Sequence, residues 1–110
     1  MDDPPPLTIR DVPERDRYEA AAGDALAGIV AYRRHGDDVV LAHTEVLVER
    51  RGVGGALAQA ALDDIRARGL GVVPACPFIA AWIRRHPGYA DLVPEAARHL
   101  LDAAGGDGAG

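Results

Sequence analysis

Residues 39–74 read VVLAHTEVLVERRGVGGALAQAALDDIRARGLGVVP, and two periodicities meet inside that stretch. In Val39-Val40-Leu41-Ala42 apolar residues occupy both alternating positions, as expected of a central strand covered on both faces. After Glu49 the period changes. Val53, Leu57, Ala61 and Ile65 recur at steps of four while Gln59, Asp63 and Arg66 fall on another face, which predicts an amphipathic helix. It ends near Arg68-Gly69, with Gly69 suited to the position after the last turn. Leu70 to Val73 is a short strand stopped by Pro74. A strand, helix, strand unit of this length places its two strands parallel.

Upstream, the turn signals Gly23-Asp24 and His35-Gly36-Asp37 separate three runs, Arg17 to Ala22, Leu26 to Arg34 and Asp38 to Leu47, which read as an antiparallel meander. Downstream, Pro77 suits the first turn of a second helix with Cys76 at its cap, running through Phe78, Ile79, Trp82 and Ile83 to His86-Pro87. Pro94 to Ala104 suggests one more short helix. The fold class is α/β (α+β): a mixed sheet in which an antiparallel N-terminal meander is followed by helix, strand and helix. With 110 residues, one domain over residues 7–104 accounts for the chain. The proline-bearing segment 1–6 and the Gly-rich tail 105–110 read as disordered ends.

Composition removes several chemistries. The chain contains no Ser, Lys or Asn, and all 12 basic side chains are Arg. There is therefore no Ser-His-Asp triad, no Walker lysine and no Schiff base. Cys76 is the single cysteine, which excludes an internal disulfide and a multi-cysteine zinc site and makes a reducing cytoplasm the natural location. A net charge of −5 lacks the basic footprint of a nucleic-acid binder. No apolar run is long enough to cross a bilayer, and no secretion signal is evident.

Glu49-Arg50-Arg51-Gly52-Val53-Gly54-Gly55 stands where a strand ends and a helix begins. Free N–H groups at a helix start and two arginines favour a polyanion, and glycines let backbone approach it closely. A dinucleotide fingerprint would need Gly at the place of Leu57, and a P-loop would need Lys. From spacing alone, a glycine-rich turn that merely starts a helix reads equally well.

The runs His43-Thr44-Glu45-Val46, Arg51-Gly52-Val53-Gly54, Pro74-Ala75-Cys76-Pro77-Phe78 and Arg85-His86-Pro87, with Tyr89 and Leu92-Val93, resemble the small, short-chain branch of the GCN5-related N-acetyltransferases. The resemblance spans Arg17 to Val93. It implies that Arg50, Arg51, Gly52, Val53, Gly54 and Gly55 hold the pyrophosphate of acetyl-CoA, and that the pantetheine lies in a splay between the strand ending near Val46 and the strand at Leu70 to Val73. Arg51 with Gly54 and Ala56 obeys the family's loop pattern to the letter, but the register of Gly52 with Gly54 is preferred because it keeps Val53 and Leu57 in the branch's positions, although Glu49 then departs from the Gln or Arg of the pattern. The stretch between Val46 and the loop is two residues shorter than in relatives.

His43 and Glu45 lie two apart on a strand and share a face opposite Thr44. They can form a base dyad or remain solvated sheet residues. In the family context Glu45 is the leading base, deprotonating an amine for direct attack on the thioester while a backbone N–H near Val46 polarises the carbonyl. Cys76, at a helix N-terminus, is either a nucleophile that relays the acetyl group or a small buried residue. Arg84 and Arg85 are candidates for the outer phosphate of CoA or part of a solvated face. Trp82 reads as core, standing where relatives often carry Tyr, and Tyr89 is the remaining nearby phenol. His86 reads as helix termination, and no metal-ligand pattern includes His35 or His99. The expected function is acetyl transfer from acetyl-CoA to an amine of unknown identity, with no metal. The alternatives are an acyl-CoA-binding module without turnover, a relay through acetyl-Cys76, or an interaction protein whose loop binds no ligand.

Overall fold

The computed structural model describes residues 6–48 and 52–105. Segments 1–5 and 106–110, expected to be disordered, lie outside the described residues, as do Glu49, Arg50 and Arg51 of the loop. Five strands form one sheet in the order of the chain: β1 (Leu7–Val12), β2 (Arg17–Ala22), β3 (Ala25–His35), β4 (Asp38–Val46) and β5 (Gly71–Pro74). The first four are antiparallel and β5 is parallel to β4, as the strand, helix, strand reading requires. Helices α1 (Val53–Ala67) and α2 (Pro77–Arg85) follow β4 and β5. The segment expected to be one helix from Pro94 is a 3-10 turn, Glu95–Ala97, followed by α3 (His99–Gly105).

β1 is an addition to the three-strand meander. Its burial alternates, Leu7, Ile9 and Asp11 half-buried and Thr8 and Arg10 exposed, but it lies between prolines and joins β2 through a 3-10 turn without glycine. Asp16 supplies the left-handed residue there, at φ 53°.

The apolar stripe of α1 packs on the sheet: Val53, Leu57, Ala61 and Ile65 are buried, joined by Ala58 and Leu62. Gly69 follows the last turn at φ 72°, where the missing Cβ is an advantage. α2 runs alongside α1 on the same face. The pair touches at Gly54 with Phe78 and at Gly55 with Trp82, and Tyr89 in the 3-10 segment Pro87–Leu92 that follows α2 reaches Asp63 on α1. Gly28 on β3 lets α1 come this close, because a Cβ there would lie 2.9 Å from the Glu45 carbonyl oxygen and 3.0 Å from both Leu57 and Val53.

A bulge sets the faces of β4. Ala31 pairs with His43 but Tyr32 pairs with Leu41, so Ala42 is the extra residue. Simple alternation from the buried Leu41 would turn His43 and Glu45 toward the helices. The bulge reverses the phase. Thr44, paired with Val30, joins the helix face, while His43 and Glu45, paired with Ala31 and Ile29, project from the opposite one. On that face Ile29 and Val40 are also buried, at 6% and 8% exposure, so apolar residues on both faces of the central strands were read correctly.

At the far end of α1, Tyr18 donates to Asp64 (2.7 Å), Tyr32 donates to Asp11, and Arg68 bridges both carboxylates at 2.9 and 3.0 Å. Burial, then the carboxylate partners, push both phenols above their ordinary value, and the hydrogen bond to Asp63 does so at Tyr89. The fold favours the neutral phenols. Their stabilisation is therefore complete below the unfolded value near 10 and is lost as pH rises beyond it. We expect tyrosinate absorbance from Tyr18 and Tyr32 to appear together with alkaline unfolding. Smooth titration of these two near pH 10 in the folded protein would contradict this.

Candidate active site

β5 accompanies β4 only from Asp38 to Leu41, and Pro74 ends the pairing. The last link is the Cys76 N–H donating to the Leu41 carbonyl at 2.9 Å. Beyond it, β4 continues to Val46 beside β3 alone. Leu47 N–H donates to Ala27 O (2.7 Å), which makes the adjoining Gly28/Val46 pair non-hydrogen-bonded. The N–H and C=O of Val46 therefore face away from β3, into the opening that β5 has left. By the same alternation, those of Thr44 do too.

The start of α1 borders this opening. Gly52 precedes the helix at φ 90°, a conformation that suits glycine and leaves no side chain to cap the helix. The helical ladder begins with Ala56 N–H to Gly52 O, so the N–H groups of Val53, Gly54 and Gly55 have no partner within the helix. The first turn carries no acidic residue, so no side chain of that turn offsets the positive end of the helix dipole. A Cβ on Gly54 would stand 2.8 Å from Cζ of Phe78, so that partly exposed ring would have to move aside for any larger residue. Val46, Leu47 and Phe78 are the exposed large hydrophobic residues among those described, and they flank the opening on the β4 and α2 sides.

His43 and Glu45 share a face, as expected from their spacing. Nε2 and Oε2 are 4.0 Å apart, and the side chains are 62% and 55% exposed. Cys76 lies on the other face as the N-cap of α2, 4% exposed, with Sγ 3.3 Å from Thr44 Oγ1. Its hydrogen-bonding neighbour is thus a hydroxyl rather than a base. Thr44 was not singled out from sequence as a partner for Cys76, because contact across the gap between β4 and α2 leaves no local signal.

Trp82 is buried, stacked on His86 at 3.8 Å and tilted against Tyr89. Tyr89 donates its proton to Asp63 on α1 (2.7 Å), which commits that phenol away from the strand opening. His86 ends α2, its N–H donating to Ile83 O. Arg84 and Arg85 are both exposed. A separate cavity of about 160 Å³, lined by Asp11, Tyr18, Tyr32 and Arg68 among others, lies at the opposite end of α1. It is about 20 Å from the glycine turn along the helix. Among the described residues no helix is long and apolar enough to cross a membrane.

Residues 17–92 match the model of the GCN5-related N-acetyltransferase family, and the chain belongs to that family. Its fold is also that of a GCN5-like protein from Staphylococcus aureus solved by NMR, with 21% identity, a TM-score of 0.63, and coverage of 80% of this chain and 88% of that one. No curated protein matches the chain.

Proposed function

We propose that this chain is an acetyl-CoA-dependent N-acetyltransferase, with the thioester carried at the end of β4 and an amine attacking from the face that bears Glu45. The observation that carries the reading is the backbone of β4 at Thr44 and Val46, which has no partner among the described residues, beside the glycine-rich first turn of α1. The N–H groups of Val53, Gly54 and Gly55, with Gly52 and the charges of Arg50 and Arg51, suit a pyrophosphate. The apolar rim of Val46, Leu47 and Phe78 suits the pantetheine arm, and the opening connects the helix face to the Glu45 face.

In this reading Glu45 takes a proton from the ammonium substrate, directly or through water, and His43 supports it. The free amine attacks the carbonyl carbon while the Val46 N–H stabilises the developing oxyanion. The attacking nitrogen gives up its remaining extra proton to water, the C–S bond breaks, and the CoA thiolate takes a proton from solvent. Direct transfer is favoured over an acetyl-Cys76 relay, because Cys76 is buried and its partner Thr44 cannot serve as a base. Binding without turnover is the second reading. It draws on the exposure of His43 and Glu45, whose side chains are both more than half open to solvent.

Thermal unfolding with added ligand tests the proposal. CoA at about 100 times Kd adds roughly 2.7 kcal/mol of stability, a rise in Tm on the order of 10 °C for a domain of this size. NAD at the same concentration is expected to do much less. No shift with millimolar CoA or acetyl-CoA would remove both the transfer and the binding readings.

A further inference from the structure

We infer that Trp82 contacts the ligand, its indole N–H donating to a phosphate oxygen of the anion held at the first turn of α1; this rests on the acetyl-CoA reading. Trp82 is 6% exposed, and the side-chain environment fixes its orientation. His86 stacks on the indole at 3.8 Å and 16°, and its Nδ1–H donates to the Trp82 carbonyl at 2.8 Å. Tyr89 packs against the ring with centroids 5.3 Å apart and is itself held by Asp63. Among the described residues no side chain or carbonyl accepts from Nε1. A buried indole N–H normally finds an acceptor, and one without an acceptor among the described residues points to a ligand.

That nitrogen faces the glycine turn. It is the heavy atom that a Cβ on Gly55 would meet, at an ordinary contact distance of 3.5 Å. Nε1 therefore adjoins the turn whose Gly54 and Gly55 N–H groups are unpaired within the helix and which itself carries no acidic residue. The indole adds a side-chain donor from α2 to backbone donors from α1. Glycine at position 55 keeps the indole N–H uncovered.

Trp82 is the only tryptophan in the chain, so intrinsic emission reports on it alone. The wild-type protein is titrated with CoA, inorganic pyrophosphate and pantetheine, with calorimetry run in parallel. Saturation with CoA or pyrophosphate is expected to move the emission, and pantetheine is expected to leave it unchanged. Trp82→Phe keeps an aromatic ring against His86 but removes the donor, and should weaken CoA and pyrophosphate binding by about tenfold or more. Gly55→Ala, whose methyl shields Nε1 without a steric clash, should weaken both in the same direction, and it decides the matter if Trp82→Phe does not fold. Wild-type affinity in a folded Trp82→Phe, or unmoved emission at calorimetric saturation with CoA, would overturn the inference alone. A response to pantetheine but not pyrophosphate would overturn the phosphate assignment. Absence of any heat with CoA would overturn the acetyl-CoA reading, and this inference with it.

Discussion

Glu45→Gln is expected to lower acetyl transfer at neutral pH by about 10²–10⁴, the range typical for loss of a general base, while CoA affinity stays near the wild-type value. Glutamine preserves the size and hydrogen-bonding reach of the side chain but cannot accept the substrate proton. The site's geometry makes the two effects separable. Glu45 projects from the face opposite α1, whereas the proposed pyrophosphate donors lie at the start of that helix. Steady-state rates with an amine acceptor, measured from pH 6 to 9 and paired with calorimetry, check both halves. Unchanged turnover across that range would assign the His43–Glu45 pair to the sheet surface. If the loss fell on Cys76→Ala instead, with an acetyl adduct on the wild-type thiol, the relay would replace direct transfer.

Gly28→Val is expected to destabilise the fold, although residue 28 makes no proposed ligand contact. Valine is a better strand former than glycine, so propensity alone predicts a gain. Packing predicts the reverse. Even a Cβ would lie 2.9 Å from the Glu45 carbonyl oxygen and 3.0 Å from Leu57 and Val53, and the two further methyl groups of valine have no space toward α1. Overpacking of this kind costs about 1–3 kcal/mol, and at Gly28 one of the opposing atoms belongs to the backbone. Relief requires the first turn of α1 to lift from β4, so CoA affinity should fall together with stability. Urea denaturation and a CoA titration of the same variant provide the check. A variant as stable as the wild type would show that α1 is not seated on Gly28.

Elements with strong periodicity were legible from the residues. The four-residue steps from Val53 to Ile65 placed α1, and the double-faced apolar runs placed β3 and β4 in the interior of the sheet. β1 was missed because prolines bound it and no glycine turn announces it, although its alternation is plain once the strand is paired with β2. Spacing brought His43 and Glu45 onto one face but could not say which face. That depends on a single bulge residue, Ala42, and nothing in Leu41-Ala42-His43 marks where the register slips. Gly54 shows a different limit. A glycine in a phosphate-like loop suggests ligand approach, yet the place of its missing side chain faces Phe78, 24 residues along the chain. The Thr44–Cys76 contact and the seating of Trp82 on Gly55 are tertiary in the same sense.

The most direct measurement is an amide nitrogen–proton correlation spectrum recorded during titration with acetyl-CoA. The glycine turn and the tyrosine-lined cavity lie at opposite ends of α1, so one titration distinguishes them. The account predicts that the amides of Thr44, Val46, Val53, Gly54 and Gly55 move, while those of Asp11, Tyr32 and Leu70 stay in place. Stationary amides along β4 and the first turn of α1, or shifts concentrated around Asp11, Tyr32 and Leu70, would contradict it.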